Sequence, residues 1–153
     1  MSVPGIFYSI VRFSISLLAG AAIVLPSFAS SQAADPIELK LGQRIYRIEL
    51  ATTAEQRRVG LMHRERLGPS QGMLLVYPGS GDRRIWMKNV LIPLRVYWID
   101  ADFTVLEARR LEPCRAAPCE VYGIDADARY VLELGDYEHP LAPGDSIDGL
   151  RGL

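Results

Sequence analysis

The residues richest in chemical possibility sit in one short stretch, Trp86-Met87-Lys88-Asn89. It sets an aromatic, a thioether, a cation and an amide side by side. Lys88 is one of two lysines in the chain, the other being Lys40. A partly buried lysine can bind an anion or act as a base. On a strand, Trp86 and Lys88 share one face, with Met87 and Asn89 opposite. A plainer reading puts Trp86 and Met87 in a core, lets Lys88 run its stem along apolar surface to water, and gives Asn89 a turn. Ile92-Pro93-Leu94 follows at once. Trp86, Met87, Lys88, Asn89 and Pro93 are the candidate ligand-binding residues.

The second candidate is Cys114-Arg115-Ala116-Ala117-Pro118-Cys119. An even cysteine count in a chain that looks exported reads as a disulfide. Chain entropy gives so short a loop roughly 2 kcal/mol. Two rivals stay open. A redox couple more usually has two residues between its cysteines, and four lie between these. A metal site needs about four ligands, and only His63 and His139 could join the pair. Met62-His63, Met73 and Met87 could also make a soft copper site, though methionine is an ordinary core filler. The reading adopted is a disulfide with no metal and no cofactor. Asp100 and Asp102 lie in a turn, where they serve as backbone acceptors. His139 precedes Pro140 in a loop. No serine-centred nucleophile elbow, zinc-protease helix or phosphate loop occurs, so no catalytic residue is assigned.

The elements that must position these residues read as strands with one helix. Residues 37–41 (IELKL) alternate as a half-buried strand does. Gly42-Gln43 is a two-residue turn into a second strand at 44–51, which predicts an opening hairpin. Thr52-Thr53-Ala54-Glu55 carries a capping-box pattern. The helix it starts runs over about 53–59 and stops at Gly60. Further strands are predicted at 72–77, from 84 to 88, at 94–100, at 104–111, at 128–134 and, last, at 146–150. Along 94–100, Leu94, Val96 and Trp98 share one face and Arg95, Tyr97 and Ile99 the other. Seven to eight short strands at even spacing predict a mainly β fold, a compact sandwich or small barrel, with one short helix near 53–59.

The chain has 153 residues, enough for one domain with a real core. Its first part differs from the rest. Arg12 is its one basic side chain before an uncharged apolar run over 13–25. Pro26 then breaks the run, and small residues follow. This is the layout of a secretory signal peptide over 1–29, cleaved after Ala29 or Ala33. The run is shorter than the roughly 20 residues that a spanning helix needs. A short linker over 30–36 and a single β domain over 37–150 complete the expected organisation. Loss of the segment removes Arg12 and takes the formal charge from −1 to −2. A nucleic-acid binder needs a basic excess, so that class is not expected. Stable membrane insertion after cleavage is not expected either, and a periplasmic or extracellular location is.

The order Gly60-Leu61-Met62, Gly72-Met73-Leu74, Trp86-Met87-Lys88-Asn89, Ile92-Pro93-Leu94, Asp100, Glu112-Pro113-Cys114, Cys119, Tyr130-Val131-Leu132-Glu133 and Gly144-Asp145 resembles the domain of unknown function 192 family. The likeness spans about 45–147. It implies a compact, mainly β domain with one short helix, commonly exported behind a signal peptide or anchor, and it implies no reaction. The family pattern often has an acid directly after Ile-Pro-Leu, where this chain has Arg95.

These readings point to an exported cell-envelope domain that binds a small ligand or serves as an accessory, without catalysis of its own. One alternative is an envelope enzyme in which Lys88 and Asn89 share a cleft with Glu112 or Glu133. Another is a metal or redox protein built on the cysteine pair. The residues identify no partner beyond a possible small ligand.

Overall fold

The structure, a computed structural model, describes residues 34–137 and 140–153. The segment expected to be a signal peptide, its two expected cleavage positions and His139 lie outside the described residues.

The chain runs β1 (Ala34–Leu41), β2 (Arg44–Ala51), α1 (Ala54–Val59), β3 (Gln71–Gly81), β4 (Ile85–Trp86), β5 (Leu94–Ile99), β6 (Val105–Leu111), β7 (Val121–Tyr122) and β8 (Ala128–Gly135). A 3-10 turn follows at Asp148–Leu150. The fold is mainly β, as the patterning predicts, and the sheet stays open rather than closing into a barrel. Six strands form one sheet in the order β1-β2-β3-β8-β5-β6, and β4 pairs with β7 in a second, small sheet.

The opening hairpin forms as predicted. Leu41 pairs with Arg44 across Gly42-Gln43, and Gly42 takes φ +58°, the left-handed value that such a turn needs. The next connection departs from a pure meander: β2 and β3 run parallel. Parallel neighbours cannot be joined by a tight turn, and the segment carrying α1 supplies the crossover. The cap of α1 is one residue later than the pattern suggests. Thr53, not Thr52, accepts from the Gln56 backbone N–H, and Gln56 Oε1 accepts from the N–H groups of Thr52 and Thr53. Gly60 ends the helix at φ +48°, ψ −130°, a conformation open to glycine.

The six-stranded sheet is buried on both faces. Leu94, Val96 and Trp98 of β5 join Met73, Leu75 and Val131 in one core. Tyr97 and Ile99 of the same strand join Leu74, Leu132 and Leu134 in the other. This explains why β3, β5 and β8 read as nearly continuous apolar runs. Two differences from the predicted strands follow from local chemistry. β3 continues through Pro78 to Gly81 across an irregularity in its pairing with β8, the kind of position where a strand tolerates proline. The predicted last strand at 146–150 is reduced to a single bridge, Thr104 to Ser146, followed by the 3-10 turn. Ile147 and Leu150 are three apart and both buried, a helical rather than a strand spacing.

Gly72 shows how tightly the centre is built. It pairs with Ile48 on one side and Leu134 on the other. A Cβ there would overlap Leu134 Cδ2 and stand 2.6 Å from the Glu133 carbonyl oxygen, which cannot swing away. Gly72→Ala should therefore lower stability by about 2 kcal/mol through overpacking. Urea unfolding checks this, and an unchanged midpoint would contradict the packing described.

Candidate functional site

β4 is only two residues long, so the strand predicted from 84 to 88 stops at Trp86, and Met87 and Asn89 take the core and turn places of the plainer reading. Ile85 faces Tyr122 and Trp86 faces Val121. Trp86 and Val121 are both exposed, at 41% and 51%, a rare position for two large apolar side chains side by side. Met87 then turns inward and is buried. The Val90 N–H donates to the Met87 carbonyl at 3.3 Å, closing a turn over Lys88 and Asn89. Asn89 occupies φ +58°, which asparagine tolerates better than most residues.

Two neighbours hold this turn. The His63 N–H donates to the Asn89 carbonyl at 2.8 Å, and the Cys114 N–H donates to the Met87 carbonyl at 3.3 Å. The second bond carries the disulfide loop against the turn. Cys114 and Cys119 are bonded, with Cα atoms 5.6 Å apart, so neither sulfur is a free thiol or thiolate ligand. A hollow of about 470 Å³ lies between turn and loop, lined by Trp86, Lys88, Asn89, Arg115, Val121 and the disulfide. Lys88 Nζ stands 5.2 Å from the Trp86 ring centroid, within cation–π range. The site thus offers an aromatic surface, an ammonium, an amide and a guanidinium around one opening.

Of the five candidate residues, the structure brings Trp86, Lys88 and Asn89 together. Met87 belongs to the core. Pro93 lines a different hollow of about 180 Å³, with Ile92 and Asp136 among its neighbours. The methionines do not gather on the surface: Met73 and Met87 are buried, Met62 packs against the same core, and His63 is exposed. Among the described residues no group of three or more His, Cys, Asp or Glu side chains could hold a metal.

The carboxylates lie elsewhere. Glu112 accepts from Arg110 on an exposed edge. Glu133, on central strand β8, is 6% exposed. It stands in a row with Met73 of β3 and Val96 of β5, and Glu49 of β2 continues that row beyond Met73. Arg64 binds Glu49 with two bonds of 2.6 Å. Burial pushes the Glu133 carboxyl up to about 7, against a smaller pull from the Arg64 charge. Neither Glu112 nor Glu133 lines the hollow of Trp86 and Lys88. Arg95, the residue that departs from the family pattern, donates to Asp136 at 3.2 Å. Burial raises the Asp136 carboxyl, but Arg110 and Arg95 together hold it below its ordinary value.

One feature is not singled out by sequence patterning. A second hollow, of about 480 Å³, lies on the other side of Trp86. Arg57, Arg58, Arg83 and Arg84 line it, together with Tyr77. The only trace in the sequence is two adjacent arginine pairs.

The DUF192 family model, described as Uncharacterized ACR, matches residues 37–149. A search of curated proteins gives no match. A crystal structure from Sinorhizobium meliloti, described as a candidate transcription regulator, is similar at 27% identity, covering 74% of this chain and 92% of that one with a TM-score of 0.63. A crystal structure of a protein of unknown function from Novosphingobium aromaticivorans is similar at 26% identity, covering 84% of this chain and 92% of that one with a TM-score of 0.62.

Proposed function

Since the chain belongs to the DUF192 family, whose description carries no reaction, we propose from the site itself that it is a non-enzymatic small-ligand-binding or accessory domain of the cell envelope. The observation that carries this reading is the convergence of Trp86, Lys88 and Asn89 with the disulfide loop on one hollow. An exposed indole face stacks on a flat or ring-shaped ligand, and Lys88 and Asn89 offer donors to an acceptor group on it. The hollow's volume lies within the ordinary range for small-molecule sites.

Export is part of the proposal. Its supports are the signal-peptide pattern over 1–29 and the disulfide, a bond of oxidising compartments. Among the described residues no helix is long and apolar enough to cross a membrane. An enzyme reading needs Glu112 or Glu133 beside Lys88, and neither lines that hollow. The description of the Sinorhizobium meliloti protein raises nucleic-acid binding, but a formal charge of −1 gives it little support here.

The test is a backbone-amide NMR titration with a panel of monosaccharides, sugar acids and aromatic carboxylates. A true ligand gives saturable shifts at Trp86, Lys88 and Asn89. Trp86→Ala and Lys88→Ala should each weaken it at least about tenfold, the scale of one lost stacking or charge-assisted contact. A panel that shifts none of these amides, or variants that bind as the parent does, would overturn the reading.

A further inference from the structure

The hollow on the other side of Trp86 has a different chemistry. Four guanidinium groups line it and, among the described residues, no carboxylate does, the buried Glu133 carboxyl lying behind Gly60. We propose that it is a second binding site, for a small polyanion that bears two or more carboxylate or phosphate groups.

The arginines come from two elements. Arg57 and Arg58 stand in the last turn of α1, and Arg83 and Arg84 follow the end of β3. Tyr77 of β3 lies between them. Its ring has the Arg83 guanidinium 4.2 Å from the centroid and that of Arg57 4.8 Å away. The inner pair is fixed by the backbone. Arg57 Nη1 donates to the Thr52 carbonyl at 2.6 Å and the Val76 carbonyl at 2.8 Å. Arg83 donates to the carbonyls of Ala128, at 3.2 Å, and Gly79. None of these acceptors carries a formal charge, and the buried Glu133 carboxyl is the one acidic group that acts on the same Tyr77 phenol. Each of the two guanidinium groups also keeps further N–H groups for a ligand.

The outer pair is poised differently. Arg58 donates to Glu55 and Arg84 to Asp82, all four side chains being exposed. Exposed pairs of this kind are weak. A ligand with several charges can draw both guanidinium groups inward at little cost. The planar guanidinium fork matches carboxylate and phosphate oxygens two at a time. Burial holds the Tyr77 phenol above its ordinary value despite the two neighbouring cations. It therefore stays protonated near neutral pH and can donate a hydrogen bond.

Packing of Tyr77 accounts for the inner arginines alone. It requires neither the outer pair nor a void of about 480 Å³ beside them. The cations also concentrate in one concavity of a chain whose formal charge is −1. Such a concavity focuses the field on a diffusing anion.

The experiment is a titration of the purified protein at low ionic strength with citrate and, separately, with inorganic pyrophosphate, followed by backbone-amide NMR. Saturable binding of at least one probe, with Kd below about 1 mM and shifts centred on Tyr77, is expected. Citrate binding more tightly assigns a carboxylate ligand, and pyrophosphate binding more tightly a phosphate one. The double variant Arg58→Gln/Arg84→Gln changes only exposed side chains and should weaken binding at least tenfold while its spectrum stays dispersed. Lys88→Ala, in the neighbouring hollow, should leave it unchanged, which separates this site from the one under Proposed function. The proposal is overturned if neither probe saturates, if the double variant binds as the parent does, or if Lys88→Ala costs as much as the double variant.

Discussion

Glu133→Gln should resist urea better than the parent at pH 8, by up to about 3 kcal/mol, and gain nothing of this kind at pH 4. Glu133 sits on the central strand of a sheet buried on both faces, 6% exposed. Its ordinary value of 4.5 rises to about 7, with burial as the largest cause. The groups around it offer little relief. Arg64 is committed to Glu49, and Tyr77 stays neutral. Below about pH 4.5 the carboxyl is protonated in both folded and unfolded chains, and folding carries no penalty. Between about 4.5 and 7 the unfolded chain has released its proton and the folded one still holds it. Stability then falls by about 1.4 kcal/mol per pH unit. Above about 7 both states are ionised and the loss is constant. Glutamine never ionises, so its advantage should grow across that window and level off beyond it. Urea midpoints at pH 4, 6 and 8 check this. An advantage that does not depend on pH, or a variant that weakens as pH rises, would remove the argument. A buried carboxylate that costs stability is the kind of residue retained for a task, which makes Glu133 a position to watch in any ligand titration.

Trp98→Ala should be the most damaging single change, with a loss of about 4 kcal/mol. The indole is fully buried on β5, and its Nε1 donates to the Arg83 carbonyl at 2.7 Å. Arg109 lies 5.7 Å over the ring. Alanine removes the packing and leaves the Arg83 carbonyl without its donor. Domains of this size have only some 5–15 kcal/mol in hand, so the variant should unfold at markedly lower urea. Trp98→Phe keeps most of the volume and should lose roughly 1–2 kcal/mol, largely the hydrogen bond. A loss below about 1 kcal/mol for Trp98→Ala would contradict the burial described. The same bond ties the core to residues 82–84, so both variants should also disturb the arginine-lined hollow.

Much of the fold can be read from residue patterns because its strands announce themselves. Residues 37–41 alternate strictly before the Gly42-Gln43 turn, and 94–99 carry two faces in register with both cores. Other parts are harder for physical reasons. β7 has two residues, too few for a period of two to appear. Adjacent threonines at 52 and 53 offer two frames for the same cap, and Gln56 selects the second by accepting both backbone N–H groups. The parallel β2–β3 pair leaves no local trace, because register across a crossover depends on distant residues. The site divides likewise. Trp86, Lys88 and Asn89 are neighbours in the chain and visible as a motif. Their placement against Cys114 depends on one backbone bond to Met87 across a long separation. The arginine pairs meet only because α1 and the segment after β3 both come up against Tyr77.

Strand order also says something about biosynthesis. β8 lies in the middle of the six-stranded sheet, between β3 and β5, yet among the described residues it is the last strand in sequence. Within the sheet, the strands β1, β2 and β3 and the strands β5 and β6 are joined in one ladder by β8. Until residues 128–135 leave the ribosome, β3 and β5 each present a bare edge and neither core can close. Closure of both cores is thereby tied to the arrival of β8. For a chain exported as proposed above, the same wiring favours threading before β8 arrives.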